Sequence, residues 1–243
     1  MDKMQHSDSA ITASVMPKYY PGILPTIGFI LLYFALQILC TILIMSATQD
    51  WTAKATPIAV IIGLVISAVI QLFLMWLYLR KDGRMAALGL LDFGNVPLLK
   101  TIGVAALCII AAMAFNYVYA TYVIPGVGMQ DDMAKILAGI ARSPIGVAAM
   151  VIAIVIAAPI VEELLFRGML QNALAKYVPI WGAILLSSFL FALVHGQPYA
   201  IPGLMSLSLA FGYLYHRTGS LRTNIVLHMA NNAFALLVTQ ILN

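Results

Sequence analysis

The chain has 243 residues, of which 63% are hydrophobic and only 9% are charged. A soluble domain carries roughly a quarter charged residues, so this composition excludes a protein whose whole surface faces water. The net charge of +4 is small and scattered along the chain, which excludes the clustered basic surface of a nucleic-acid-binding protein.

Seven apolar segments predict membrane-spanning helices, because a span needs roughly 20 consecutive apolar residues. The first apolar segment is too long for a signal-peptide h-region, and we expect it to stay in the membrane as an anchor. The predicted fold class is therefore all-α, a polytopic membrane protein with about seven transmembrane helices. In chain order the predicted spans are 22–47, 57–79, 98–120, 145–175, 180–196, 200–216 and 221–242.

The distribution of Lys and Arg predicts how these spans are oriented. If the N-terminus is cytoplasmic, nine of the 13 basic residues lie inside, Arg167 lies within the fourth span, and three, Lys54, Lys135 and Arg142, lie outside. Cytoplasmic segments of membrane proteins are enriched in basic residues. We therefore predict a multi-pass protein of the cell membrane with its N-terminus in the cytoplasm and its C-terminus outside. The long connection, 121–144, fits either an interfacial segment or an ordinary loop.

Ionisable side chains are concentrated in three of the seven spans. Such a group costs about 2.5–3.5 kcal/mol at the centre of a spanning helix, so it is a functional candidate by default. We expect the fourth, fifth and seventh spans to converge on one polar cluster. Its candidate members are Glu162, Glu163 and Arg167 in the fourth span, His195 in the fifth, and His228 and Asn232 in the seventh.

Spacing along the fourth span separates its two carboxylates. Glu163 lies four residues before Arg167, so the two share a helix face in the order that favours an ion pair. Glu162 points about 100° away and has no cation three or four residues on, which makes it the candidate general base. Pro159 removes one backbone hydrogen bond just before the pair and predicts a kink.

The other polar residues each allow a functional and a structural interpretation. His228 and Asn232 are four residues apart and project from one face of the seventh span. Phe191 lies one turn before His195 and can pack beside its imidazole. The pair Glu163–Arg167 favours a structural role. His195 and Asn232 each also fit a hydrogen bond between helices, so the residues alone leave both roles open.

At these residues the sequence resembles the CPBP family, the CAAX-processing and bacteriocin-processing intramembrane proteases. The resemblance covers about 144–235 and divides the chain into a cytoplasmic segment 1–21, three helices with a connecting loop in 22–143, and a protease-like core, 144–243. Three family motifs are present in order: E-E-x-x-x-R at Glu162, Glu163 and Arg167, F-x-x-x-H at Phe191 and His195, and a His followed four residues later by Asn at His228 and Asn232.

The resemblance implies an Abi-type glutamic endopeptidase that hydrolyses peptide bonds within the membrane without a cofactor. Glu162, assisted by His195, would activate water, and His228 and Asn232 would donate hydrogen bonds to the tetrahedral oxyanion. Glu163, Arg167 and Phe191 would support the site. The implied partners are the lipid bilayer and a peptide or protein substrate, with no nucleic acid.

Two alternatives are kept beside this interpretation. Two histidines and a carboxylate form a plausible zinc set, here Glu162, His195 and His228, which would make a metalloprotease. A non-enzymatic role, as a bacteriocin-immunity factor or scaffold, also fits a polytopic chain with a polar cluster. Only eleven residues follow Asn232, which favours a bacterial member acting on peptides such as pheromones or bacteriocins over one acting on prenylated CAAX proteins.

Overall fold

The computed structural model describes residues 21–49, 55–93, 97–125 and 144–242. Within these ranges the chain is helical and contains no β-strand. The connection predicted over 121–144 lies mostly outside the described residues. The helices are α1 (Ile23–Thr48), α2 (Ala55–Leu79), the single turn α3 (Arg84–Ala87), α4 (Leu98–Val118, continued by a π-helical turn at Tyr119–Val123), α5 (residues 144–174), α6 (Ile180–Leu193), α7 (Ile201–Thr218) and α8 (Leu221–Leu242).

Every predicted span corresponds to a helix whose ends lie within a few residues of the predicted ones. Four helical stretches have the length and apolarity of a membrane span: Ile23–Thr48, Pro57–Leu79, Leu99–Val123 and Gly146–Leu174. α6 is apolar but has only 14 residues, so it is about 21 Å long, shorter than a hydrocarbon core of about 30 Å. The all-α, polytopic membrane fold predicted from the sequence is confirmed.

α5 is one continuous helix that changes four times between α-helical and π-helical hydrogen bonding. Its segments are Pro144–Met150, the π-helical Val151–Ala157, Ala158–Glu162, the π-helical Glu163–Gln171, and Asn172–Leu174. A π-helical turn pairs each carbonyl with the amide five residues on and often marks a functional site. Pro159 lies at the start of the third segment, so widened turns on both sides accommodate its missing N–H.

The second half of α5 forms the centre of the molecule. Leu165, Phe166 and Met169 are fully buried, whereas most exposed apolar side chains lie on the surrounding helices. The main core cluster joins α5 to Tyr33 of α1, Met75 of α2 and other residues of the neighbouring helices. Polar side chains on this stretch of α5 are therefore enclosed by protein and kept away from lipid, as intramembrane charges require.

The turn between α7 and α8 is bonded to the segment that follows α3. The Arg222 amide donates to the Gly89 carbonyl at 3.1 Å. The Ser220 hydroxyl donates to the Asp92 carbonyl at 2.7 Å, and the Thr223 hydroxyl donates to the Phe93 carbonyl at 2.9 Å. These bonds fix the start of α8, and with it the depth of the polar residues that α8 carries.

Candidate active site

A buried ion pair on α5 is the anchor of the polar cluster. The Arg167 guanidinium lies 2.9 Å from Oε1 of Glu163, and the two side chains are 1% and 0% exposed. The predicted pairing of these two residues is therefore present. A buried pair needs further hydrogen bonds to offset the loss of hydration, because the mutual attraction alone rarely does so.

Those further hydrogen bonds come from α7 and α8. Nδ2 of Asn224 donates to Oε2 of Glu163 at 2.9 Å, and Nδ1 of His228 lies 2.9 Å from Oε1 of the same carboxylate. The Arg167 guanidinium also donates to the hydroxyl and the carbonyl of Ser208, at 3.0 and 3.2 Å. Glu163 and Arg167 thus tie three helices together at one point.

Asn224 and Ser208 were not predicted as members of the cluster. Asn224 lies four residues before His228 on the same helix face, so its spacing could have identified it. Ser208 has no distinguishing signal, because a small hydroxyl residue in an apolar helix is ordinarily a packing residue. The ion pair could be predicted from α5 alone, whereas its hydrogen-bond partners depend on how α7 and α8 are placed.

Glu162 occupies a different environment from its neighbour. Its side chain is 19% exposed, and its Oε2 atom lies 3.7 Å from Nε2 of His228. That separation is too long for a direct hydrogen bond. Among the described residues, Glu162 thus forms no ion pair with Lys or Arg, and its partly exposed carboxylate faces an imidazole, as the helix geometry predicts.

The contacts of His228 define the role of each ring nitrogen. A carboxylate only accepts hydrogen bonds, so the Nδ1 atom beside Glu163 carries the hydrogen and donates it. Nε2 is then the nitrogen that faces Glu162. The ring stacks on Phe211 with centroids 4.7 Å apart, which fixes its plane. Glu163 is therefore a positioning group for His228 as well as the counter-ion of Arg167.

Asn232 reaches α5 through the irregularity that Pro159 creates. In the π-helical segment the Ala158 amide donates to the Ala153 carbonyl, five residues back. The next amide in this ladder belongs to Pro159, which has no N–H, so the helix supplies no such donor to the Ile154 carbonyl. Nδ2 of Asn232 donates to that carbonyl at 3.0 Å. One of the two amide hydrogens of Asn232 is used in this way, and the other is left for a ligand.

His195 does not lie inside its helix, which corrects the prediction of a span over 180–196. α6 ends at Leu193, and His195 lies in the turn after it, exposed and followed by Gly196 at a φ of 69°. Its Nδ1 atom donates to the Phe191 carbonyl at 2.7 Å, so Nε2 is the free lone pair. Gly196 and Pro198 end the helix early, a signal present in the sequence that the apolar run concealed.

Phe191 connects His195 to the rest of the cluster. Its ring lies 4.8 Å from that of His195 and 6.4 Å from that of His228, measured between centroids. The Arg167 guanidinium lies 4.8 Å above the same ring. Within the described ranges, no hydrogen bond or ion pair joins His195 to Glu162. The structure therefore brings Glu162, Glu163, Arg167 and His228 together directly and places His195 beside them through Phe191.

The first helix also contributes to the surroundings of Glu162. Tyr33 is 2% exposed and belongs to the core cluster that contains Val161 and Leu165. It lies close enough to Glu162 for the two groups to interact electrostatically. Nothing in the sequence distinguishes Tyr33, because an aromatic residue in an apolar span is ordinarily a packing residue. α1 thus packs against the part of α5 that carries Glu162.

The zinc set considered above can be compared with these positions. A catalytic zinc site needs about three protein ligands converging on one point. Among the described residues, no group of three or more His, Cys, Asp or Glu side chains is placed to hold a metal ion. Nδ1 of His228 faces Glu163 and Nδ1 of His195 donates to a backbone carbonyl, so Nε2 is the available nitrogen of each ring. The described side chains do not converge on one point as a zinc site requires, and no step of the proposed reaction involves a metal.

Comparison with known proteins identifies the part of the chain that carries these residues. Residues 144–234 match the family described as Rce1-like, type II CAAX prenyl endopeptidase. YdiL of Bacillus subtilis (strain 168), provisionally named a membrane peptidase, is 26% identical over 117 residues, which are 48% of this chain and 47% of YdiL. YaiF of Lactococcus lactis subsp. lactis (strain IL1403), a UPF0177 protein, is 38% identical over 82 residues, 33% of this chain and 36% of YaiF.

The aligned regions cover less than half of either relative. No solved structure matches the chain. The matched segment nevertheless contains the carboxylates of α5, His195, His228 and Asn232. Residues 144–234 of this polytopic membrane protein are therefore similar to the Rce1-like family of type II CAAX prenyl endopeptidases.

Proposed function

We propose that the chain is an intramembrane endopeptidase that hydrolyses peptide bonds of membrane-associated peptides or proteins. The observation that carries the proposal is the contrast between the two adjacent carboxylates. Glu163 is fully buried and holds Arg167, His228 and Asn224, whereas Glu162 is partly exposed, lacks a cation and faces His228. A purely structural role would account for Glu163, which holds the helices together. The only evident use of the Glu162 carboxylate is in a catalytic reaction.

In the proposed reaction the Glu162 carboxylate takes a proton from a water molecule as the water oxygen attacks the peptide carbonyl carbon. The carbonyl double bond becomes the C–O⁻ bond of a tetrahedral intermediate. Collapse of this intermediate breaks the C–N bond, and the proton on Glu162 passes to the leaving nitrogen. The free Nε2 lone pair of His195 can share this proton when the substrate brings the exposed turn against the cluster.

The oxyanion of the intermediate would accept hydrogen bonds from Asn232 and His228. Asn232 has one amide hydrogen left after its bond to the Ile154 carbonyl, and that bond fixes its direction. Donation through Nε2 of His228 requires the doubly protonated ring, because Nδ1 already carries a hydrogen toward Glu163.

The substrate class follows from where the site lies. The cluster is enclosed by helices of a membrane-spanning bundle, so the substrate must approach within or beside the bilayer. We propose peptides or proteins anchored in the membrane of the cell, with prenylated CAAX proteins and bacteriocin-like peptides as the two classes to compare. Immunity to a bacteriocin would be an outcome of the same proteolysis, whereas a purely structural immunity factor would need no exposed Glu162.

The proposal is tested with the full chain purified into liposomes that contain a library of membrane peptides, in water enriched in ¹⁸O. We expect new carboxyl termini that carry one ¹⁸O atom from the attacking water, with unchanged yield in the presence of a chelator. Absence of any cleavage by folded protein would support the scaffold. Cleavage that a chelator abolishes and zinc restores would support the metalloprotease instead.

A further inference from the structure

A cavity at one end of the bundle lies apart from the candidate active site. It has a volume of about 320 Å³ and opens between α4 and α7. The described residues that line it are Lys100, Thr101, Gly103, Val104, Leu214, Arg217 and Thr218. Lys100 is in the first turn of α4 and Arg217 in the last turn of α7, so both cations are at the same end of two packed helices. This cavity is called the basic groove below.

The two cations of the basic groove have no partner among the residues that the structure describes. Lys100 and Arg217 are exposed, and neither forms a hydrogen bond or an ion pair with any residue in the described ranges. The lining residues include no acid among those that the structure describes. The Thr101 and Thr218 hydroxyls donate to carbonyls of their own helices, which leaves Lys100 and Arg217 as the free donors. The groove therefore presents two uncompensated positive charges to an anion.

The rest of the groove is apolar and leads toward the interior of the bundle. Val104 lies one turn beyond Lys100, and Leu214 lies about one turn before Arg217. Leu214 also belongs to a buried cluster with Ala105 and Phe211 that joins α4 to α7. A Cβ atom added to Gly103 would meet nothing within 4 Å, so the α4 side of the groove is open. An occupant would thus have an anionic end at the cations and an apolar part beside Gly103 and Val104.

This combination identifies the chemistry of the occupant. Basic pockets between helices at the membrane surface bind anionic lipid head groups. The sequence places Lys100 and Arg217 on the side predicted to be cytoplasmic, at the depth where a helix leaves the hydrocarbon region. We propose that the basic groove is a binding site for one anionic phospholipid, with its phosphate between Lys100 and Arg217 and its first acyl carbons along Gly103 and Val104.

The experiment uses the full chain in neutral detergent, with phosphatidylglycerol or phosphatidylcholine added and bound lipid counted by native mass spectrometry. We expect one phosphatidylglycerol to bind roughly 30-fold more tightly than phosphatidylcholine, since each of two cations near the surface contributes about 1 kcal/mol. The double variant Lys100→Gln, Arg217→Gln should bind both lipids equally. Lys81→Gln, which removes an exposed cation outside the groove, should keep the preference.

A second variant fills the groove without changing its charge. Gly103→Leu should prevent tight binding of phosphatidylglycerol, because its side chain occupies the open space beside the cations. Gly28→Leu is the matched control, since Gly28 is also a helical glycine with nothing within 4 Å, on α1 and away from the groove. Inorganic phosphate at millimolar concentration should not displace the lipid, because it lacks the acyl chain.

Several results would overturn the proposal. Equal affinity of the wild type for the two lipids would show that the protein has no site selective for anionic lipid. A preference for phosphatidylglycerol that the double variant retains would place the site outside the basic groove. Displacement by inorganic phosphate would show a phosphate site without a lipid. Displacement by a short peptide with a free C-terminal carboxylate, but not by its amide, would assign the groove to a peptide. None of these outcomes depends on proteolytic activity, so the inference stands apart from the proposed function.

Discussion

At the scale of single residues, the cluster is organised by which group each side chain is bound to. Glu162 and Glu163 are adjacent and chemically identical, yet their neighbours separate them into an accessible carboxylate and a buried counter-ion. Residue type alone could not predict this difference, but the positions of the cations and imidazoles around each group could. The same reasoning gives Asn231 and Asn232 different roles, although they too are adjacent.

Asn232→Ala should lower kcat about 10²–10³-fold if Asn232 is one of two oxyanion donors, with some activity remaining from His228. Asn231→Ala is the matched control. Asn231 donates to Oδ1 of Asn232 at 3.3 Å and leaves the donating Nδ2 atom in place. The loss of that single hydrogen bond should change kcat by less than about tenfold. Equal losses in the two variants would contradict the assignment of Asn232.

At the scale of helices, a missing backbone hydrogen bond in α5 determines where Asn232 binds in the candidate active site. The π-helical turn and Pro159 together leave the Ile154 carbonyl without a helical donor, and Asn232 of α8 bonds to it instead. A proline in a helix interior ordinarily destabilises the protein by about 3 kcal/mol, so its presence here fits a functional use. The sequence predicted the lost hydrogen bond but not the residue that replaces it.

Pro159→Ala restores an N–H that can donate to the Ile154 carbonyl and compete with Asn232. We expect kcat to fall by about tenfold, the value of one orienting hydrogen bond, while thermal stability is unchanged or higher. Pro202→Ala is the control, because Pro202 lies in the first turn of α7, where the missing N–H has no helical acceptor. A kcat for Pro159→Ala equal to that of the wild type would show that Asn232 does not depend on the proline.

The contact between the α7–α8 turn and the segment after α3 is tested with two glycines. Gly89 and Gly83 have φ values of 69° and 68°, so both favour glycine. A Cβ atom on Gly89 would overlap the Gly219 carbonyl oxygen, whereas one on Gly83 would meet nothing within 4 Å. Gly83→Ala should therefore cost about 1–2 kcal/mol and Gly89→Ala distinctly more. The check is the fraction of monodisperse protein left after heating in detergent, and equal losses would contradict the contact.

At the scale of the whole molecule, the fold could be predicted well because each span is read from local composition. Each of the seven predicted spans corresponds to a helix, although α6 is short, and the Glu163–Arg167 pair follows from spacing within one helix. The errors arise where local composition is ambiguous. His195 was placed inside a span because the apolar run continues past Leu193, although Gly196 and Pro198 end the helix.

The partners that the sequence did not predict are those that depend on tertiary placement. Ser208 and Asn224 bind the ion pair only because α7 and α8 pack beside α5. Tyr33 approaches Glu162 only because α1 packs against the same helix. Such contacts depend on the helix arrangement, and a single sequence carries no periodic signal for that arrangement.

The orientation of the bundle stays a prediction from the basic residues. With Cys40 and Cys108 replaced, a cysteine introduced at Asn243 should react with a membrane-impermeant maleimide from outside the cell. A cysteine at Lys81 should react only after the membrane is opened, because an odd number of crossings separates the two positions. Labelling of both cysteines from the same side would mean that one of the predicted spans does not cross the membrane. The short α6 would be examined first, because it has only 14 residues.

The central claim is that Glu162 activates the attacking water, and its most direct test is the cleavage rate of Glu162→Gln compared with wild type. Glutamine keeps the size and hydrogen-bonding capacity of the side chain and removes the base, and a partly exposed position tolerates the change. We expect normal yield, an unchanged thermal stability and a single-turnover cleavage rate at least about 10²-fold lower, the lower end for loss of a general base. A well-folded Glu162→Gln protein that cleaves at the wild-type rate would contradict the account.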